Sequence, residues 1–213
     1  MRQNVSKTLR IAVLGASGAT GRLVISAALS RGHEVVALTR RAGTLAAETG
    51  LTESVWPDVV DREPLSTALA GADVVISALG GAGNGPTSVC TDAMRSAVPA
   101  MLESGVPRLI VVSAHGVLET HDGSLYSRAV WRGVGEKMKD KESMEQVITA
   151  STLDWTIVRP PMLSDARATG RYRVGVDLPI RLWHSIGRAD LADFLVEEAE
   201  AGSFLRQYPR LHR

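Results

Sequence analysis

Ile11-Ala12-Val13-Leu14-Gly15-Ala16-Ser17-Gly18-Ala19-Thr20-Gly21-Arg22 decides the fold. An apolar run ends on three evenly spaced glycines, and a helical pattern starts at the last of them. A strand that breaks into a glycine turn and then a helix builds a place for a dinucleotide pyrophosphate. Gly15 lets the chain leave the strand in a conformation that a Cβ resists. Gly18 lets backbone N–H groups approach phosphate with no side chain between them. Gly21 lets the new helix sit close on the sheet. The helix start then offers unpaired N–H donors and a positive dipole end. Ser17, Ala19 and Thr20 share this turn and belong to the same binding set. The spacing is G-x-x-G-x-x-G, not the more familiar G-x-G-x-x-G, so the context has to support it. It does. Leu23, Val24, Ala27, Ala28 and Arg31 recur at helical spacing, Gly32 fits just past the helix end, and Glu34–Thr39 reads as a second strand.

The alternation continues along the chain. Strand-like runs lie near 9–14, 34–39, 53–56, 73–79, 108–113 and 154–159, with helical patterns near 20–31, 62–70, 87–104, 130–150 and 188–196. Runs such as Val74-Val75-Ile76 and Leu109-Ile110-Val111-Val112 are continuously apolar, as parallel strands covered on both faces are. The expectation is an α/β fold: a Rossmann-type, doubly wound, mainly parallel sheet with helices on both faces. Residues 1–213 read as a single domain, with 160–187 forming a small substrate-side lobe. Within that lobe, Arg171–Val174 reads as a short strand, and the Trp183-His184 pair either lines the pocket or packs under the loop.

Composition narrows the function. A formal net charge of +1 gives no reason to expect a nucleic-acid partner. One cysteine, Cys90, cannot form an internal disulfide, which fits a reducing, cytoplasmic setting. No apolar stretch is long enough to suggest a membrane span. No metal-ligand pattern stands out, so the expected partner is a small-molecule substrate, with the chain a monomer or homodimer.

Ligands of doubly wound sheets bind at the carboxyl ends of the strands. After the second strand come Arg40 and Arg41, where NAD-preferring sites carry an acid for the ribose 2′-hydroxyl. Two arginines suit a 2′-phosphate instead, and one charge-assisted bond is worth roughly 1.5–3 kcal/mol, so NADP(H) is preferred over NAD(H) by at least about tenfold. Asp58 can accept from an adenine amino group, with Val59 against the ring, while Asp61 suits a helix cap. Ala78, Leu79 and Gly80 end the fourth strand, in a small-residue loop (80–86) that can lie along phosphates and ribose. Ser113 follows the fifth strand and can hydrogen-bond a substrate carbonyl. His115 has the right unperturbed pKa for a proton donor, whereas His121 sits at a loop tip.

In the next helix, Val134, Met138, Lys141, Met144 and Ile148 form one stripe facing the sheet. A lysine in such a stripe is costly without partners, so Lys141 is read as reaching the strand ends to bond a ribose, with Glu145 holding it. Lys139, Asp140, Glu142, Ser143 and Gln146 are expected to face solvent. After the sixth strand, Pro160 and Pro161 turn the chain away from the sheet. That sets Pro160 among the cofactor contacts and Met162 and Leu163 at the pocket rim.

Gly15–Arg22, Leu38–Arg41, the Asp58–Asp61 element, Thr156–Pro161 and Ile186–Phe194 together resemble the atypical short-chain dehydrogenase/reductases. The likeness is to the small NAD(P)H-binding group related to NmrA-like proteins and biliverdin-IXβ (flavin) reductase. It covers nearly the whole chain. The resemblance implies an NADPH-dependent oxidoreductase passing hydride to a small carbonyl, quinone, flavin or tetrapyrrole-like acceptor. It implies catalytic roles for Ser113 and for Lys141, the lysine of the family's Tyr-x-x-x-Lys pair. The tyrosine itself is missing, since Lys137 stands there. Tyr126 can substitute only if its loop folds back; water and His115 are the other proton sources. Relatives that lack the tyrosine either take a proton from elsewhere or have become redox sensors, so a non-catalytic NADP(H)-binding regulator is the alternative. A sugar-nucleotide epimerase needs a larger substrate lobe and the absent tyrosine.

Overall fold

Six parallel strands form the centre: β1 (Arg10–Leu14), β2 (Glu34–Thr39), β3 (Leu51–Val55), β4 (Val74–Ser77), β5 (Arg108–Val112) and β6 (Asp154–Val158), in the order β3-β2-β1-β4-β5-β6. This computed structural model describes residues 7–81, 83 and 85–213. Ile11 lies opposite Val35 on one side and Val74 on the other, so strand order reverses at β1 and a crevice opens there. Side-chain alternation splits the core into two layers. Ala12, Leu14, Val36, Val75, Leu109 and Val111 face α2 (Glu63–Leu69), α3 (Val89–Glu103) and α4 (Leu125–Thr149). Ile11, Val13, Val35, Ala37, Ile76 and Ile110 face α1 (Ala19–Ser30) and α5 (Arg188–Ala201). Each large aliphatic side chain buried this way contributes about 1.5–3 kcal/mol.

α1 turns Gly21, Val24, Ile25 and Ala28 inward. Arg31 is not part of that face; it sits beyond the helix and pairs with Glu197 and Glu200 of α5. α4 begins earlier than the sequence predicts, because Ser124 caps it by accepting from the Ser127 N–H at 3.2 Å. Between Gly133 and Gly135 the helix breaks at Val134 (φ −140°, ψ 33°), where two glycines weaken helical preference. The remainder of α4 carries the predicted stripe, with Met138, Met144 and Ile148 buried.

Residues after β6 form two small sheets. β7 (Met162–Ser164) runs parallel to β9 (Ser185–Gly187), and β8 (Arg173–Gly175), near the predicted short strand, pairs antiparallel with β10 (Arg210–His212). Buried Asp190 fastens this region, accepting from the Thr169 and Gly170 N–H groups and from Arg213. No helix among the described residues is long and apolar enough to cross a membrane.

Candidate active site

A cleft of about 750 Å³ runs along the carboxyl ends of β1, β2, β4 and β5. The glycine turn forms its floor. Gly15 has φ +76°, and a Cβ there would sit 3.0 Å from the Ala78 carbonyl group, so both conformation and closeness demand glycine. A Cβ on Gly21 would come within 2.2 Å of the Gly15 carbonyl oxygen, so the helix can start this close to the turn only without a side chain. No side chain caps α1 and no acid lies in its first turn, which leaves its leading N–H groups available to an anion. Ser17, Gly18, Ala19 and Thr20 line the cleft above them, with Ala78, Leu79 and Gly80 opposite. Of the 80–86 loop, Ala82 and Asn84 lie outside the described residues.

At the β2 end, Leu38, Trp56 and Val59 make an apolar slot. Trp56 is buried and donates its indole N–H to the Asp61 carbonyl at 2.7 Å. Beside the slot, Ser17, Arg40, Arg41, Thr44 and Pro57 enclose a second recess of about 590 Å³. Its wall is shaped by Glu53 of β3. That carboxylate accepts from the Thr39 hydroxyl (2.8 Å), the Gly43 N–H (2.8 Å) and the Thr44 N–H (3.0 Å), and these bonds hold its pKa below the usual range, the Thr39 bond most of all. Arg22 closes the recess from behind, donating to the carbonyls of Ser17 and Thr44. Asp58 does not reach the cleft; its carboxylate accepts from the Val60 N–H in an exposed turn.

At the β5 end stand Val112, Ser113, Lys137, Lys141, Leu163 and Arg188. Lys141 donates to the carbonyls of Leu79 (2.9 Å) and Val112 (2.7 Å), bridging the ends of β4 and β5. The partners that the stripe position required are therefore backbone oxygens. An ammonium has three donors, and beyond these two carbonyls Lys141 meets only the Met144 thioether sulfur at 4.0 Å, a weak acceptor. Glu145 does not hold Lys141 as the sequence reading expects. It is fully buried, accepts from Ser113 Oγ at 2.5 Å and is gripped by Arg159 Nε (3.1 Å) and Nη2 (2.5 Å). Burial pushes its carboxyl pKa up, and the Arg159 bonds and charge pull against that rise. This corrects the role given to Ser113. A hydroxyl has one proton to donate, and Ser113 spends it on Glu145, so toward the cleft it offers lone pairs. Asp140 is corrected too. It is buried, not solvent-facing, and caps α3 by accepting from the N–H groups of Cys90 (3.0 Å) and Thr91 (2.9 Å).

A family described as NAD(P)H-binding matches residues 15–201. The chain belongs to that NAD(P)H-binding family. The UPF0659 protein YMR090W of Saccharomyces cerevisiae is 27% identical over 200 residues, spanning 89% of this chain and 86% of the yeast protein. Among solved structures, the oxidoreductase ylbE of Lactococcus lactis has the same fold (TM-score 0.84, 19% identity, 96% of this chain and 91% of that one). ChuY of Escherichia coli O157:H7, described as an anaerobillin reductase, is 26% identical with a TM-score of 0.81, covering 95% of this chain and 96% of its own. The glycine turn, the slot at β2 and the β5 wall line one continuous cleft.

Besides Asp58, the predicted residues Tyr126, His115 and Pro160 stand away from the wall of that cleft. Tyr126 is buried against His115, their rings 5.2 Å apart, and burial pushes its hydroxyl up to about 12. His115 is buried with Nδ1 unpartnered, and burial, aided by the charge of Arg210, lowers its pKa to about 4. Pro160 is buried and uses its carbonyl to accept from the His115 N–H. Sequence reasoning missed Glu53, Trp56, Thr87 and Arg188. A charged residue in the middle of β3 was the available signal for Glu53. Thr87 and Arg188 carried none, since tertiary folding alone brings them to the cleft.

Proposed function

We propose that the chain is an NADPH-dependent reductase acting on a small carbonyl, quinone, flavin or tetrapyrrole-like acceptor. One observation carries the reading. The same cleft joins a basic recess, framed by Arg40 and Arg41, to a wall made by Ser113, Lys141 and Leu163. The recess suits a 2′-phosphate. When bound, the reduced nicotinamide supplies a hydride, and one proton completes the two-electron reduction of the acceptor.

The chain's own groups divide the remaining work. The α1 N-terminus holds the pyrophosphate. The third donor of Lys141, otherwise facing only the weak thioether acceptor of Met144, bonds a ribose hydroxyl. Ser113 accepts from an amide or hydroxyl donor, and its orientation is fixed by Glu145 and Arg159. Leu163 and Val112 keep water off the reacting face, and rate comes chiefly from holding donor and acceptor together. With Tyr126 and His115 behind the wall, the proton is assigned to water.

That missing acid also favours a second reading, a regulator whose partner senses bound NADP(H). Titration with NADPH and NADH, followed by a steady-state screen with quinones, flavins and aldehydes, separates them. At least tenfold tighter NADPH binding with turnover supports the reductase. Equal affinities remove the 2′-phosphate assignment, and tight binding without turnover across the three acceptor classes moves the chain to the regulator.

A further inference from the structure

The charged side chains on the cleft wall are Arg40, Lys137, Asp140, Lys141 and Arg188. Three of them are engaged elsewhere. Asp140 caps α3, Lys141 spans the Leu79 and Val112 carbonyls, and Arg188 pairs with Asp165 at 2.5 Å. Two remain, one at each end. Arg40 faces the recess at β2. Lys137 stands at β5, one helical turn before Lys141, and no ion pair among the described residues includes it. The nearby carboxylates of α4 are committed: Glu136 to Lys139 (2.7 Å), Glu142 to the Leu118 N–H (2.9 Å) and Glu145 to Arg159. A half-buried lysine with no ion pair among the described residues, lining the same cleft as the apolar Leu163 and Val112, is a receptor for an anion attached to an apolar body.

We propose that Lys137 selects the acceptor: it binds the acidic group of a flat, largely apolar molecule carrying a carboxylate or sulfonate, whose ring lies against Leu163. The inference rests on the reductase reading and deepens it. Arg188 adds a second positive charge on the same wall. Its partner Asp165 is largely exposed, so the pair is screened and leaves the field of Arg188 incompletely cancelled.

Two matched acceptors test this: 1,4-naphthoquinone-2-sulfonate and the neutral 2-methyl-1,4-naphthoquinone. Wild-type protein and the variants Lys137→Met and Lys137→Arg are compared by steady-state NADPH oxidation. They are also compared by equilibrium binding of each quinone to the NADP+-loaded protein, which needs no turnover. The expected result is that Lys137→Met raises the ratio of anionic to neutral KM and Kd by tenfold or more, while Lys137→Arg keeps it within about threefold. A thermal melt establishes that both variants fold. An unchanged ratio in folded Lys137→Met overturns the proposal, as does wild-type protein that binds the neutral quinone better. If NADPH binds but neither quinone is reduced, the result counts against quinones as acceptors, the flavin and aldehyde screen decides the reductase reading, and the binding ratio still decides the anion site.

Discussion

Replacing Glu145 with glutamine removes one negative charge from the least exposed ion pair among the described residues. Arg159 and Glu145 have side chains with no exposed surface, joined by two guanidinium–carboxylate bonds. Arg159 keeps a second partner, Glu119, but that carboxylate is 58% exposed and its charge is shared with water. The Tyr208 ring, 4.1 Å from the guanidinium, gives only a weak further attraction. Glutamine therefore leaves a buried cation without adequate compensation. Breaking one side of a buried pair costs about 3–5 kcal/mol. Domains of this kind have total stabilities of about 5–15 kcal/mol, so the loss is a large share. For a chain of this length each kcal/mol shifts Tm by roughly 2–4 °C, giving a fall of about 6–20 °C.

The double variant Glu145→Leu with Arg159→Leu separates loss of charge balance from loss of packing. Removing both charges deletes the unpaired ion, so the double variant should lie within about 2 kcal/mol of wild type, well above Glu145→Gln. Urea unfolding followed by tryptophan fluorescence measures all three proteins. A Glu145→Gln cost below about 1 kcal/mol, or a double variant no better than the single, refutes the assignment of Glu145 as the counter-charge of Arg159.

His115 is neutral in the fold and protonates only near pH 4, against an ordinary value near 6.5. The unfolded chain therefore binds this proton first, so His115 favours the fold above pH 6.5 and loses that contribution as pH falls from 6.5 toward 4, up to about 3 kcal/mol. His115→Leu should flatten that part of the stability–pH curve; an unaltered slope is the adverse outcome. Gly21→Ala forces a Cβ to within 2.2 Å of the Gly15 oxygen, so NADPH binding should weaken at least about tenfold in isothermal titration. Lys141→Met removes a charge-assisted donor worth roughly 1.5–3 kcal/mol together with the bridge between the Leu79 and Val112 carbonyls, so NADPH affinity or turnover should fall at least about tenfold; unchanged kinetics argue against the ribose contact.

The sheet was legible because most of its signals are local. Apart from β3, which is largely polar and follows β2 with no helix between, the central strands carry short apolar runs and the crossovers periodic ones, and right-handed connections that place helices on both faces require the strand order to reverse, as it does at β1. The glycine turn was equally legible, since Gly15 and Gly21 are required by backbone geometry that no other residue meets. Side chains whose role depends on a distant partner were not. Periodicity put Asp140 on the water side of α4. Only the approach of α3 reveals that its carboxylate closes the end of that helix. Glu145 lies four residues after Lys141, and that spacing suggests a pair. Its true partners, Ser113 and Arg159, come from β5 and β6, and sequence distance says nothing about them.

This division bears on which residues distinguish one family member's chemistry from another's. Along α4, Asp140 is fastened to α3, Lys141 to β4 and β5, and Glu145 to the β6 end. Changing any of these three moves the frame of the cleft as well as its chemistry. Lys137 holds nothing in place among the described residues, yet it faces the same cleft. A substitution there alters what the cleft recognises and leaves its geometry standing. Acceptor preference can therefore vary at this position of α4 with the cofactor frame kept, whereas a change at Glu145 must be matched at Arg159.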